Sequence, residues 1–191
     1  MGKVNRNFKA SVFTHLFAEP EKERGLYNAF SPTALPPDVP VVDLTLTNVL
    51  YRDMVNDLAF SVGIKIACFF EAQSTLNKNM ALRQFLYSGR VYEKLVDNDE
   101  LYSETRLIIP TPEFYVLYNG VSEYPDEGVL RLSDAFEEVF SLGLSEKETP
   151  ALELIVKVLN IRQGRNGAIS GKVQDVILVQ YVCGQGAGAG V

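Results

Sequence analysis

The spacing of apolar residues predicts two helices at the start of the chain. Positions 8, 12, 13, 16 and 17 are apolar, which is the spacing of one helix face, and Pro20 ends this first helix. A second, shorter helix is predicted over 21–30. Four prolines between positions 32 and 40 then predict a loop.

Short apolar segments predict three strands after this loop. They cover 41–46, 56–62 and 65–71, and Gly63 marks a turn between the last two. The segment 65–71 is almost continuously apolar, which is typical of a strand at the centre of a sheet.

A longer helix is predicted after Asn79, which is placed to cap it. Its spacing divides an apolar side (82, 85, 86, 89, 92 and 96) from a charged side (83, 90, 94 and 97). Residues 110–112 (PTP) then break the chain before a strong strand at 113–118. Further strands are predicted at 129–132 and 152–159, with a short helical or looped piece at 133–141.

The order helix, strand, strand, strand, helix, strand predicts an α/β fold with a mixed central sheet flanked by helices. We expect one domain over 1–165. Residues 166–191 form a C-terminal extension that ends in a Gly/Ala-rich tail, and this tail is predicted to be flexible because its glycines are costly to order and bury little.

The amino-acid composition limits the kinds of metal site and the classes of protein to be considered. Two cysteines and one histidine exclude a disulfide framework and a multi-histidine zinc site, so any metal should be a hard cation on carboxylates, Mg²⁺ or Mn²⁺. The net charge of -6 argues against a general nucleic-acid coating protein. No membrane span or signal peptide is evident, so we expect a cytoplasmic protein with no membrane partner.

Two carboxylates and an amide occupy unusual places for polar groups. Asp57 lies at one end of an apolar strand segment, and Glu71 and Gln73 lie at the end of the next. Acids are rarely left in such places unless they are paired or bind a cation. A divalent-metal site is therefore one hypothesis. The alternative is that Asp57 only terminates its strand and that Glu71 is a paired acid at the edge of the core.

Strand register supplies a geometric test. Glu71 and Gln73 are two apart and therefore share a sheet face. A two-residue turn at 63–64 would place Asp57 opposite Phe70 and would put Glu71 on the other face. A shared metal thus requires a three-residue connection or a bulge near Gly63.

Three cations lie on the charged side of the predicted helix after Asn79. Arg83, Arg90 and Lys94 could contact DNA phosphates. Such a stripe is more often the solvated side of a helix, and the spacing alone leaves both interpretations open.

Long stretches of the chain resemble the bacterial recombination-promoting nuclease (Rpn) family, which is also described as transposase-like. The likeness runs from about residue 9 to 161. It rests on residues 56–60 (NDLAF), 70–80 (FEAQSTLNKNM), 82–83 (LR), 92–95 (YEKL), 109–120 (IPTPEFYVLYNG) and 130–136 (LRLSDAF).

This resemblance implies a branch of the PD-(D/E)xK nuclease superfamily with a restriction-endonuclease-like core. It implies a metal-dependent DNA endonuclease associated with recombination and mobile elements. The family's aspartate matches Asp57, and its ExQ motif, which replaces the superfamily's ExK, matches Glu71 and Gln73. DNA is then the expected partner. A homodimer is compatible with this activity, because a single centre cuts one strand at a time, but no interface is legible in the sequence.

Two positions depart from the family pattern. Ala10 stands where the family commonly has an acid, and Ala72 stands where histidine is common, which leaves a more apolar site. The rival hypothesis is therefore a catalytically impaired nuclease-fold protein that binds DNA or protein.

Overall fold

The structure, a computed structural model, describes residues 17, 19–31, 33–46, 57–63, 66–136, 150–162, 164 and 165, and for Asp57 the backbone alone. The predicted first helix up to residue 16, with Ala10, lies outside these residues, as does the C-terminal extension.

The described elements follow one another in the predicted order. They are α1 (Pro20–Phe30), β1 (Val41–Asp43), β2 (Asp57–Val62), β3 (Ile66–Gln73), α2 (Met80–Leu95), the one-turn helix α3 (Asn98–Leu101), β4 (Thr111–Tyr118), β5 (Glu127–Arg131), a 3-10 turn (Leu132–Ala135) and β6 (Ile155–Asn160). None of the described helices is long and apolar enough to cross a membrane.

The strands form a six-stranded mixed sheet in the order β1-β2-β3-β4-β6-β5. β1, β2 and β3 are antiparallel neighbours, β3, β4 and β6 are parallel, and β5 is antiparallel to β6. Helix α2 lies in the long crossover that parallel strands require between β3 and β4. The predicted α/β class with a mixed sheet flanked by helices is thus confirmed.

Each face of the sheet carries its own apolar core. The α1 face, named for the helix that covers it, includes Leu58, Phe60, Cys68, Phe70, Tyr115 and Leu117. The α2 face includes Ala59, Ala67, Phe69, Val116, Val156 and Val158, with Met80, Ala81, Tyr87 and Val91 from α2. Since successive strand residues point to opposite faces, β3 is buried on both sides, as its continuous apolar sequence predicts.

The predicted chain break at residues 110–112 is wrong from Thr111 onwards. Strand β4 already begins there, and Pro112 pairs with Ala67 of β3. Pairing of β4 with β6 begins only at Phe114. At Pro112, β4 is therefore paired with β3 only. Proline has no N–H to donate, and on the unpaired side no strand would need one.

The side of α2 that the spacing marks as apolar is not the side that is buried. The buried residues are Met80, Ala81, Gln84, Tyr87, Ser88 and Val91, whereas Leu82 and Leu86 are exposed. Apolar residues occur around much of this helix, so spacing alone did not determine which side faces the sheet. Asn79 precedes the helix as predicted, but its side chain makes no capping bond.

Candidate functional site

Strands β2 and β3 pair in the register that a shared site requires. Asp57 is opposite Glu71, and Val62 is opposite Ile66, which leaves the three residues 63–65 as the connection. Gly63 has a φ of 55°, a left-handed conformation that glycine adopts at no steric cost. The predicted three-residue connection is confirmed. Because directly paired residues share a face, positions 57 and 71 both belong to the α2 face.

The two carboxyl oxygens of the buried Glu71 differ in their hydrogen-bond partners. The residue is 1% exposed. Its Oε1 accepts a hydrogen bond from Gln73 Nε2 at 2.9 Å and lies 3.1 Å from Arg83 Nη1. Its Oε2 is buried and has no hydrogen-bond partner among the described residues. One oxygen is thus held by the protein, and the other is an acceptor without a donor.

Gln73 holds Glu71 in place. Its Nε2 also contacts Met80 Sδ at 2.7 Å, and its Oε1 accepts from the backbone N–H of Asn77 at 3.0 Å. These partners fix which end of the amide faces Glu71, since only the nitrogen can donate to a carboxylate. The sequence predicted that Gln73 orients water or contacts phosphate, whereas the observed contacts are those of a residue that positions the carboxylate.

Arg83 reaches the same carboxylate from the first turn of α2. Its side chain is 30% exposed, and Nη1 also lies 3.6 Å from Met80 Sδ. Arg90 lies about two turns further along the helix, which is a rise of roughly 10 Å, and the exposed Lys94 lies in the last turn. The three predicted DNA contacts are therefore separated, and Arg83 alone is brought to Glu71.

The end of β4 packs closely against the end of β3. The backbone N–H of Asn119 donates to the carbonyl of Gln73 at 2.9 Å. A Cβ on Gly120 would lie 2.3 Å from the carbonyl oxygen of Ser74, so any other residue would push the two segments apart. The sequence pattern of this Asn-Gly pair carries no sign of the cross-strand contact.

The α2-face site fits a hard divalent cation in its donor chemistry. Glu71 Oε2 is a buried oxygen acceptor that lacks a partner among the described residues, and Asp57 is paired across from it in register. Carboxylate oxygens are the ligands that Mg²⁺ and Mn²⁺ prefer. Within the described part of the chain, no group of three or more His, Cys, Asp or Glu residues could hold a metal ion.

Ala72 does not belong to this site. It packs against the core of the α1 face, on the opposite side of the sheet from Glu71. The expectation that Ala72 makes the site more apolar is therefore wrong. Its small side chain is instead part of the packing beneath α1.

A second buried acid, Glu23 of α1, was missed by sequence reasoning. It is 0% exposed, and neither carboxyl oxygen has a partner among the described residues. Burial, and secondarily the charge of Asp43, raise the pKa of Glu23 to about 8. Asp43 begins a row across the α1 face that continues through Phe60, Cys68 and Glu113.

The charges along this row also affect the thiol of Cys68. Burial raises the pKa of Cys68, and the charges of Glu113 and Glu23 raise it further. A neutral, buried thiol in this place packs as a small hydrophobic side chain. Glu23 and Glu71 thus lie on opposite faces of the sheet and belong to separate environments.

Comparison with known proteins identifies no relative. No family model, no curated protein and no solved structure matches this chain. The resemblance to the recombination-promoting nucleases therefore stays a prediction.

Proposed function

We propose that this protein is a Mg²⁺- or Mn²⁺-dependent DNA endonuclease of the PD-(D/E)xK type that acts in recombination or on mobile elements. The observation that carries the proposal is the pairing of Asp57 with Glu71, together with the buried, unpartnered Oε2 of Glu71. The α/β class with a mixed sheet supports it, as does the motif resemblance.

Each residue of the site has a role in this proposal. Asp57 and Glu71 hold the cation, which when bound makes a water molecule nucleophilic and neutralises charge at the phosphate. Gln73 fixes the rotamer of Glu71 through the 2.9 Å bond to Oε1. In the hydrolysis a water oxygen bonds to phosphorus and the bond from phosphorus to one ester oxygen breaks. The water loses a proton, and the ester oxygen gains one and leaves as a sugar hydroxyl.

The proposed substrate is DNA. A homodimer would present two such centres, one for each strand. Of the residues named as DNA contacts, Arg83 is the one that lies against Glu71, so it is the first candidate to meet the scissile phosphate.

The test is nicking of supercoiled plasmid in Mg²⁺, in Mn²⁺ and in EDTA. Wild type is expected to cut with either metal and not with EDTA. Asp57→Asn and Glu71→Gln are expected to abolish cutting, whereas Glu100→Gln, an exposed acid on α3, is the matched control. An inactive wild type, or acid variants that cut as well as wild type, would contradict the proposal.

A second candidate function is a nuclease-fold protein that binds DNA or protein without cutting it. One observation favours it: Glu71 already has a cationic partner inside the protein, Arg83 at 3.1 Å. Calorimetric titration with Mn²⁺ separates the two candidates. Binding that disappears in Glu71→Gln supports the endonuclease, and absence of binding supports the non-catalytic protein.

A further inference from the structure

Arg83 is the cationic partner of a carboxylate that water does not reach. Glu71 is 1% exposed, and Arg83 Nη1 lies 3.1 Å from its Oε1. A buried carboxylate is costly unless its charge is compensated. Among the ion pairs that the described residues form, the one with Arg83 supplies that compensation, assisted by the amide of Gln73.

A guanidinium and a divalent cation on one carboxylate repel each other. Like charges a few ångströms apart in a partly desolvated site interact strongly, because little solvent screens them. Glu71 carries a single negative charge, which Arg83 already balances. A divalent cation that binds Oε2 therefore competes electrostatically with Arg83, at Oε1, for the one negative charge of Glu71.

The two partners differ in how easily they can leave. Glu71 is fixed within β3 by strand pairing and by Gln73. Arg83 projects from the first turn of α2 on a long side chain that is 30% exposed, so its guanidinium already borders solvent. A guanidinium released at this edge is well suited to a phosphate, which it binds through two parallel hydrogen bonds.

We propose that Arg83 is a counter-ion switch, which pairs with Glu71 when the site holds no metal and contacts a DNA phosphate when a divalent cation has taken its place. This inference rests on the proposed metal-dependent function. It makes metal and DNA binding mutually dependent, because each ligand favours the state in which Arg83 has left Glu71.

The experiment is calorimetric titration with Mn²⁺ alone, without DNA. Arg83→Gln removes the competitor and is expected to bind Mn²⁺ about tenfold more tightly than wild type. Arg83→Lys keeps the charge and should fall between the two. The matched control is Arg106→Gln, an exposed position in the segment that leads to the start of β4, at the opposite end of β3 from Gln73. Its affinity for Mn²⁺ should equal that of wild type.

A second measurement uses a fluorescent DNA duplex and follows anisotropy with and without Mn²⁺, with a gel to confirm that the duplex remains intact. Wild type is expected to gain affinity for the duplex when Mn²⁺ is added. Arg83→Gln should lose most of that gain, because its switch residue can no longer reach the phosphate. A full gain in Arg83→Gln would overturn the proposal.

The outcomes distinguish this inference from the proposed function. If wild type binds Mn²⁺ and Arg83→Gln binds it no more tightly, the switch is wrong and the metal site stands. If neither protein binds Mn²⁺, both ideas are wrong. If only Arg83→Gln binds, Arg83 does compete for Glu71, and the wild-type endonuclease is contradicted.

Folding of the variants is followed by circular dichroism. If Arg83→Gln is unfolded without metal because Glu71 has lost its partner, refolding on addition of Mn²⁺ gives the same information as the titration. Failure to refold, together with Arg83→Lys binding Mn²⁺ no more tightly than wild type, would overturn the switch.

Discussion

Glu71 and Glu23 are both buried acids, but the protein treats them differently. Glu71, on the α2 face, is 1% exposed and receives donors from Gln73 and Arg83 on one oxygen. Glu23, a residue of α1 on the opposite face of the sheet, is 0% exposed and has no donor among the described residues on either oxygen. Both acids are therefore buried, but among the described residues only Glu71 receives donors.

This difference separates an acid suited to a cation from one that holds a proton. Gln73 donates to Glu71 Oε1 and the guanidinium of Arg83 lies beside the same oxygen, an arrangement that suits a carboxylate serving as a ligand. The pKa of Glu23 is raised to about 8 by its burial, so near neutral pH it carries a proton. Burial alone does not distinguish the two residues as candidate metal ligands.

The largest contrast is expected in DNA cleavage. Glu71→Gln should lower Mn²⁺-dependent plasmid nicking by more than about 100-fold, since even the partners that orient a metal ligand cost 10- to 100-fold when removed. Glu23→Gln should cut at the wild-type rate, because its side chain lies on the other face of the sheet. Initial nicking rates at one enzyme concentration measure both. If the two variants lose activity equally, the assignment of the site to the α2 face is wrong.

The second contrast is in how stability depends on pH. Glu23 has an unfolded-state pKa near 4.5 and a folded-state pKa of about 8. Between these values the folded state keeps a proton that the unfolded state has lost, so stability falls as pH rises through this window. The loss should be on the order of 3 kcal/mol between pH 5 and pH 8.

Urea unfolding of wild type and Glu23→Gln at pH 5, 7 and 9 measures this loss. Gln cannot ionise, so the unfolding free energy of the variant should rise relative to that of wild type as pH rises. This difference should level off above about pH 8. Groups other than Glu23 affect both proteins alike, and the difference isolates its contribution. A difference that is the same at all three pH values would show that Glu23 has a donor in solution.

Parts of this contrast could be predicted from the sequence. The pairing of Asp57 with Glu71 was predicted only as the geometry that a shared metal requires, a three-residue connection or a bulge, and the structure has the three-residue connection. The buried side of α2 could not be predicted, because Leu82 and Leu86 suit a core as well as Met80 does. Glu23 was missed because acids in a first helical turn are common at exposed positions.

Gln73 provides a test of how Glu71 is held. Gln73→Met keeps the length of the side chain but removes the donor to Glu71 and the acceptor for Asn77 N–H. We expect Mn²⁺ affinity to fall 10- to 100-fold, with unfolding free energy lowered by about 1–3 kcal/mol. Calorimetry and urea unfolding report the two effects. An unchanged Mn²⁺ affinity would mean that Glu71 needs no positioning by Gln73.

The smallest effect is expected at Asp43, whose charge is the secondary cause of the raised pKa of Glu23. Asp43→Asn removes the charge and keeps an oxygen that can accept the 2.8 Å bond from the Thr45 N–H. Since Asp43 is exposed and screened, its removal should lower the pKa of Glu23 slightly and raise stability at pH 9 by less than about 1 kcal/mol. Unfolding at pH 5 should be unchanged, because Glu23 is protonated there. If Asp43→Asn removes the whole pH dependence, the charge of Asp43 rather than burial raises the pKa of Glu23. Glu23 and Glu71 would then differ only in the charges that lie near them.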